Sequence, residues 1–372
     1  MKASGLRIGL IGPLPPPSGG MANQTLQLAK LLRAEDAIVE LIQVNRPYCF
    51  RWIAKVRGVR AAFRLLPYLA HLWRSAGEVQ VFHVMANSGW SWHLFAAPAI
   101  WIASVRGTPV IVNYRGGEAD VFFDKGFSWV RPSLDRVDAI IVPSGFLEAV
   151  FEKRGFTPSI VPNIIDLSRF RPETGFGSSS PEKSPHILVT RNLELIYDNA
   201  TALRAFNIVK RTFPGANLTI AGVGPERQAL EELAIRLGLE TSITFTGHID
   251  NESIAALYRI ADVMVNPSLA DNMPISILEA LASGVPIVST DVGGIPYMVE
   301  HGKTALLVPV QDPEAMARAI LALLSDPAKA KQMRKAGIES LQQYTWPNVR
   351  DRLLRVYEQV LTKSDRSPVS IK

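Results

Sequence analysis

Short runs of β-branched and apolar residues, each followed by a helical pattern or a turn, recur along this chain and leave it few folds to choose from. Runs at 6–11, 38–44, 79–84, 110–113, 139–142 and 159–161 fill the first half. Runs at 186–190, 217–222, 243–246, 263–267, 287–290 and 305–308 fill the second. Apolar strands alternating with helices belong in parallel sheets covered on both faces, so the pattern predicts an α/β architecture. At 372 residues the chain exceeds one ordinary core and suits two domains. Between the two series, 171–186 (RPETGFGSSSPEKSPH) is rich in Gly, Ser and Pro and reads as a linker. Two doubly wound units joined in this way form a cleft, with ligands at the carboxyl ends of the strands. The domains expected are 1–170 and 187–345, followed at 346–372 by a last helix with Val349, Leu353, Val356, Tyr357 and Val360 at helical spacing.

Composition narrows the setting. A hydrophobic content of 47% with 20% charged residues is that of a globular protein with a large buried core. Cys49 is the single cysteine, which rules out an internal disulfide framework and suits a reducing cytoplasm. The start of the chain is not a signal peptide, because its apolar stretch is short and runs into a Pro-Gly loop. The most apolar segment, 90–105, contains His93 and Pro98 and reads better as a buried helix than as a membrane span. Residues 1–170 hold 19 of the 40 Lys and Arg but only 12 of the 34 Asp and Glu, so the basic excess lies in the first half. That half is expected to meet an anionic surface or substrate. No nucleic-acid partner is expected.

Residues 271–290, DNMPISILEALASGVPIVST, carry the densest information. Asp271-Asn272 are good N-cap residues, Pro274 suits a first turn, and the helix they predict runs 275–282 and stops at Gly284. Glu279 shares a face of that helix with small and apolar residues. A carboxylate there needs hydrogen-bond donors, such as the two hydroxyls of a ribose, unless it is simply a partly exposed helix residue. An acidic residue, seven others, Glu, then A-x-A-x-G-x-P and two hydrophobics resembles the signature of glycosyltransferase family 4, the retaining GT-B sugar transferases. Here the pattern is Asp271, Glu279, Ala280, Ala282, Gly284 and Pro286. The family usually has Glu at the first position, so Asp271 shortens that side chain by one methylene. The resemblance implies two Rossmann-like domains facing a cleft, with the last helix crossing back onto the first domain. It also implies that the first acid meets the donor sugar and the second holds the nucleotide ribose.

Other residues take roles from the same resemblance. Gly19 and Gly20 follow the first strand at a turn into a helix, where backbone can approach an anion or merely turn tightly. In the family, glycines here approach the donor phosphates or the acceptor. Arg191, just beyond the strand 186–190, suits a diphosphate, or pairs with Glu194 on the surface. The family follows that Arg shortly with a Lys, whereas this chain has none until Lys210. Gly222 and Gly224 resemble the family's G-x-G-P turn on the nucleotide side. Gly247, His248 and Ile249 resemble the segment whose backbone meets the base, although His248 could equally point into solvent. Backbone N–H groups of Asn272, Met273, Pro274 and Ile275 are the expected diphosphate cradle, proline lacking its own.

In the first half, His83, His93, Arg115 and Glu118 are the candidates, and a strand-end His such as His83 can be structural or binding. Many relatives carry a His near Arg115. Arginine cannot act as a base near pH 7, so here it suits phosphate. The scattered His and Cys and the lack of a D-x-D pair leave no metal or other cofactor expected. A basic amphipathic stretch (Trp52, Val56, Val59, Phe63, Leu66, Ala70 and Trp73 among Arg51, Lys55, Arg57, Arg60, Arg64 and Arg74) suits either an anionic membrane surface or packing on its own sheet.

The resemblance therefore implies a retaining transferase that moves a sugar from a UDP- or GDP-linked donor to a saccharide or lipid-linked acceptor. Cell-surface polysaccharide or glycolipid synthesis is the expected setting, in the cytoplasm with peripheral attachment to the inner face of the plasma membrane. A GT-B glycan phosphorylase, or a non-catalytic protein that binds the nucleotide-sugar, is the alternative.

Overall fold

A computed structural model describes residues 3–16, 19–46, 59–172 and 184–365. The first sheet is built from β1 (Arg7–Gly12), β2 (Ile38–Gln43), β3 (Val81–Ala86), β4 (Val110–Tyr114), β5 (Ala139–Val142) and β6 (Ser159–Ile160). The second is built from β7 (His186–Val189), β8 (Asn217–Ala221), β9 (Ile243–Gly247), β10 (Val263–Asn266), β11 (Ile287–Thr290) and β12 (Leu306–Val308). Every run read from the sequence is a strand, with ends displaced by two residues at most.

Both sheets are six-stranded and parallel. The first has the order β2-β1-β3-β4-β5-β6 and the second β12-β11-β10-β7-β8-β9. Renumbered within its own unit, the second order is the dinucleotide-fold arrangement, whose strand order reverses between its first and fourth strands. In this chain those strands are β7 and β10, paired at Met264 and Leu188. In the first sheet the reversal lies between β1 and β3, where Leu10 pairs with His83.

Burial follows the two-residue strand period. In the second sheet Ile187, Val189, Val263 and Val265 enter one core, while Leu188 and Met264 enter another on the opposite face. Central strands buried on both faces account for the uninterrupted apolar runs in the sequence.

The chain divides into two compact units, residues 1–163 with 346–372, and residues 164–345. The change of unit falls after Asn163, ahead of the 170 read from the sequence, because Ile165 and Phe170 pack into the second unit's core. Part of the segment read as a linker, 173–183, lies outside the described residues. The last helix, Trp346–Asp365, belongs to the first unit. Trp346 Nε1 and Arg350 Nη1 both donate to Glu35, at 3.0 and 3.1 Å.

Two expectations need correction. The segment 90–105 is a π-helical turn (Trp92–Ala96) running into a helix (Ala97–Arg106) that is buried on one side only, with Trp90 78% and Val105 69% exposed. The basic stretch forms a helix over Val59–Ser75, its earlier part lying outside the described residues. Tyr68 and Leu72 turn into the core, whereas Phe63, Leu66, Ala70 and Trp73 face outward. The described residues of the stripe singled out in the sequence are thus the unburied ones; the helix has a second apolar stripe, and that one packs on the sheet.

Candidate active site

The reversal of strand order in the second unit brings two loops together at the carboxyl ends of β7 and β10. Thr190 and Arg191 leave β7, and residues 267–274 leave β10 and lead into the helix Ile275–Ser283. Arg191 donates through Nη2 to Asp271 Oδ2 in an ion pair whose side chains are only 11% and 14% exposed. Its Nη1 reaches Ser276 Oγ at 3.5 Å, the limit of a hydrogen bond, and its guanidinium lies 4.0 Å over the Tyr197 ring. The Arg191 Nε is buried with no acceptor among the described residues. Glu194, the alternative partner, instead accepts from Asn192 at 3.2 Å.

Asp271 does not cap the helix. The N-cap position is Pro274, no side chain caps the helix, and Ile277 N turns back to the Pro274 carbonyl at 3.2 Å, so among the described residues the N–H groups of Ile275 and Ser276 are left for a ligand or water. Asp271 Oδ1 accepts from the Asn272 N–H at 2.8 Å. Asn272 and Met273 are buried, and Met273 belongs to the core. At the other end Gly284 takes φ +67, the left-handed C-terminal position expected of it.

Glu279 lies one turn further along, half-buried. Tyr258 donates to its Oε2 at 3.2 Å and is its one donor among the described residues. Burial raises the Glu279 carboxyl to about 7, against the smaller opposing effects of Tyr258, Arg169 and Arg191. The Tyr258 hydroxyl also lies 2.7 Å from Thr190 Oγ1 and 3.0 Å from the Ser276 carbonyl. Its single proton therefore serves one of Thr190, Ser276 and Glu279 at any moment. A carboxylate with one shared donor has room for the two hydroxyls of a diol.

Gly222 and Gly224 act on Arg191 through the backbone. A Cβ on Gly222 would lie 2.2 Å from the Arg191 carbonyl oxygen, and one on Gly224 would lie 2.1 Å from that of Leu193. Leu193 N donates to Val223 O at 3.0 Å and its carbonyl accepts from Glu226 N at 2.9 Å. The G-x-G turn therefore clamps the loop that carries Arg191. Gly247 ends the edge strand β9, two strands from β7, with His248 and Ile249 just beyond it, and His248 is exposed. They are not part of the Arg191 cluster.

The first unit gathers a different set. His83 is fully buried on β3, its Nδ1 2.8 Å from Tyr357 Oη and its Nε2 3.0 Å from Asn113 Nδ2. Burial, and then the Arg115 charge, hold the imidazole down to about 3, so it is neutral. With both nitrogens occupied inside the unit, His83 cannot touch a substrate, and its expected catalytic place is corrected to a structural one. Arg115 donates through Nε to Asn113 Oδ1 at 3.1 Å and through Nη1 to Asn163 Oδ1. Gly19 and Gly20 begin the helix Gly20–Ala34, with no atom within 4 Å of where a Cβ would stand. His93 and Glu118 are exposed. Among the described residues no group of three or more His, Cys, Asp or Glu could hold a metal ion, and no helix is long and apolar enough to cross a membrane.

Sequence reasoning missed Thr190, Tyr258, Ser276, Asn113 and the pair Gly293-Gly294. Gly294 N donates to the Asp271 carbonyl at 2.9 Å, and a Cβ on Gly293 would lie 2.0 Å from that oxygen. A glycine pair just beyond a strand, as at Gly19-Gly20, was the available signal. Nothing local marks Tyr258, which reads as an ordinary core aromatic.

Comparison with known proteins agrees with this arrangement. Residues 170–340 match the family described as "Glycosyl transferases group 1", and residues 18–169 match "Glycosyltransferase Family 4". A phosphatidyl-myo-inositol mannosyltransferase of Mycobacterium leprae is 26% identical, covering 98% of this chain and 100% of its own. Among solved structures, a sucrose-phosphate synthase from Thermosynechococcus elongatus is similar in fold, with TM-score 0.75, 21% identity and coverage of 96% of this chain and 100% of its own. The Anabaena protein Alr3699/HepE, solved in complex with UDP, has TM-score 0.71, 16% identity and coverage of 95% and 100%. Two parallel Rossmann-like units, the pattern around Glu279 and two family matches running together from residue 18 to 340 place the chain in glycosyltransferase family 4, with the GT-B fold, as a glycosyltransferase.

Proposed function

We propose that this transferase takes its sugar from a UDP- or GDP-linked donor and passes it, with retention of configuration, to a saccharide or lipid-linked acceptor. The observation that carries the reading is the Arg191–Asp271–Ser276–Glu279 cluster at the strand reversal of the second unit. Arg191 and the uncapped N–H groups at Ile275 would hold the diphosphate, Glu279 the ribose diol, and Asp271 hydroxyls of the sugar. The bond from the anomeric carbon to the diphosphate oxygen would break as the acceptor hydroxyl attacks from the same face, its proton passing to the leaving diphosphate oxygen. Charge then grows on the leaving diphosphate, and preorganised donors that meet it are the main catalytic device. Arg191 would supply the positive charge that meets it, and we expect no metal in that role.

The relatives' names support a lipid-type acceptor, since the mannosyltransferase above is named for phosphatidyl-myo-inositol. So do Phe63, Leu66 and Trp73, which stand 49%, 65% and 47% exposed on one helix face beside Arg74, with Arg106 over the Trp73 ring. An apolar stripe edged with arginine suits the inner face of an anionic membrane.

The test is the melting temperature with UDP, GDP or ADP, each with and without magnesium, for wild type and Glu279→Ala. A nucleotide at a hundred times its Kd adds about 2.7 kcal/mol of stability. Stabilisation by one nucleotide, independent of metal and lost in the variant, is the expected result. No response to any nucleotide would sink the donor reading and favour a phosphorylase.

A further inference from the structure

The first unit holds a cation without an anion. Two other largely buried arginines are matched by carboxylates, Arg154 by Asp120 and Asp124 at 2.8 and 2.6 Å and Arg191 by Asp271. Among the described residues Arg115 bonds only the neutral amides of Asn113 and Asn163, and burial alone lowers its guanidinium to about 10. Guanidinium donates and never accepts, so it turns the Asn113 oxygen toward itself and the amide nitrogen toward His83. His83 Nε2 must then accept, which leaves the proton on Nδ1 for the Tyr357 oxygen. The chain of bonds has one polarity, set by Arg115, and it holds the guanidinium still while Nη2 bonds nothing among the described residues.

What surrounds Arg115 is shaped for an oxyanion. Gly116-Gly117 follow it beyond the carboxyl end of β4, and their N–H groups meet no backbone acceptor among the described residues. A Cβ on Gly116 would stand 2.2 Å from Ser88 Oγ, so that hydroxyl, from beyond the end of the neighbouring β3, shares the same corner; it lies 2.8 Å from Tyr114 Oη and donates to a ligand when it accepts from that phenol. A held guanidinium, a hydroxyl and glycine N–H groups at adjacent strand ends are the donors that a phosphate group uses.

We propose that Arg115, Ser88 and the Gly116-Gly117 turn form an oxyanion site of the first unit that takes a phosphate group carried by the sugar acceptor. Asn113 and His83 are positioning residues for it. The word acceptor rests on the transferase reading; the anion site rests on its own geometry.

The test titrates inorganic phosphate into the full chain, following melting temperature and phosphorus-31 line width. It compares wild type, Arg115→Gln, Arg115→Lys and Arg191→Gln, with UDP and GDP as separate titrants. Arg191→Gln should keep one phosphate site of wild-type affinity, whatever phosphate also binds at Arg191 in wild type, and that site should bind at least about tenfold more weakly in Arg115→Gln, the worth of one charge-assisted hydrogen bond. Lysine cannot reproduce the fork held by two amides, so Arg115→Lys should also bind several-fold more weakly, which keeps the test alive if the glutamine variant does not fold. Unchanged phosphate affinity in the Arg115 variants, or loss in Arg191→Gln alone, would overturn the site. Nucleotide response kept in Arg115→Gln supports a site separate from the donor's. A chain that binds phosphate through Arg115 but no nucleotide would refute the donor reading and leave this one standing.

Discussion

Replacing Glu279 by Gln should stabilise the protein, and only above a definite pH. The carboxyl rises from 4.5 to about 7 in the folded chain because burial penalises its charged form. Between those two values the folded chain binds more protons than the unfolded one, so stability falls as pH rises through this window and is level on either side. At about 1.36 kcal/mol for each pH unit between the two, the ionised carboxylate costs the folded state about 3 kcal/mol. Glutamine keeps the shape and still accepts from Tyr258, but never ionises. The difference in melting temperature between the variant and wild type should therefore be small near pH 4.5 and open in the variant's favour to about 6–12 °C by pH 8. Other titrating groups cancel in that difference. A difference that stays constant from pH 4.5 to 8.5 would refute the reasoning.

The same carboxyl ties nucleotide binding to protons. A ribose diol donating two hydrogen bonds favours the ionised form, so binding should expel a proton. At pH 6 the free carboxyl is about nine-tenths protonated, and calorimetry in buffers of different ionisation enthalpy should count close to one proton released. Uptake or no exchange would mean that the nucleotide does not engage Glu279.

Arg191→Ala should lower turnover about 10²–10³-fold, as measured by sugar transfer, and also lower the melting temperature because Asp271 loses its partner; an unchanged rate removes Arg191 from the chemistry. Gly224→Ala should cost about 1–3 kcal/mol and weaken nucleotide binding, since its Cβ would overlap the Leu193 backbone that carries Arg191. Gly19→Ala, with open space around it, should leave stability nearly unchanged in the same melts. Leu66→Asp with Trp73→Asp should abolish sedimentation with anionic vesicles at low salt while leaving the fold intact; vesicle binding equal to wild type would remove that face from any membrane role.

Strand runs and the helix at 275–282 were legible because each is a local pattern of a few residues. The need of Glu279 for donors was legible too, from the company it keeps on its helix face. Its donor was not, because Tyr258 lies 21 residues earlier on another helix. Arg191 and Asp271 stand 80 residues apart, and His83 and Tyr357 stand 274 apart. Only the sheet order and the packing of the last helix bring them together. Periodicity also could not tell which apolar stripe of the helix Val59–Ser75 faces the core, since both recur every three or four residues. The G-x-G turn was assigned to a nucleotide when its glycines are required by protein backbone some thirty residues upstream.

The departures from the family pattern become coherent when taken together. Asp271 stands where a longer Glu is usual, and the Lys usually found after Arg191 is missing. Gly294 fixes the Asp271 carbonyl, and Gly293 lets the chain pass against it with no Cβ between them. The backbone under Asp271 is thereby held close enough for a short carboxylate to reach Arg191. A lone cation under that carboxylate is neutralised, whereas Arg and Lys together would leave a surplus positive charge in a largely buried place. On the proposed donor reading, a diphosphate arriving at Arg191 would compete with Asp271 and, in succeeding, would set that carboxylate free. Asp271 would then be available to sugar hydroxyls only once the diphosphate is seated, which couples recognition of the sugar to recognition of the nucleotide through one arginine.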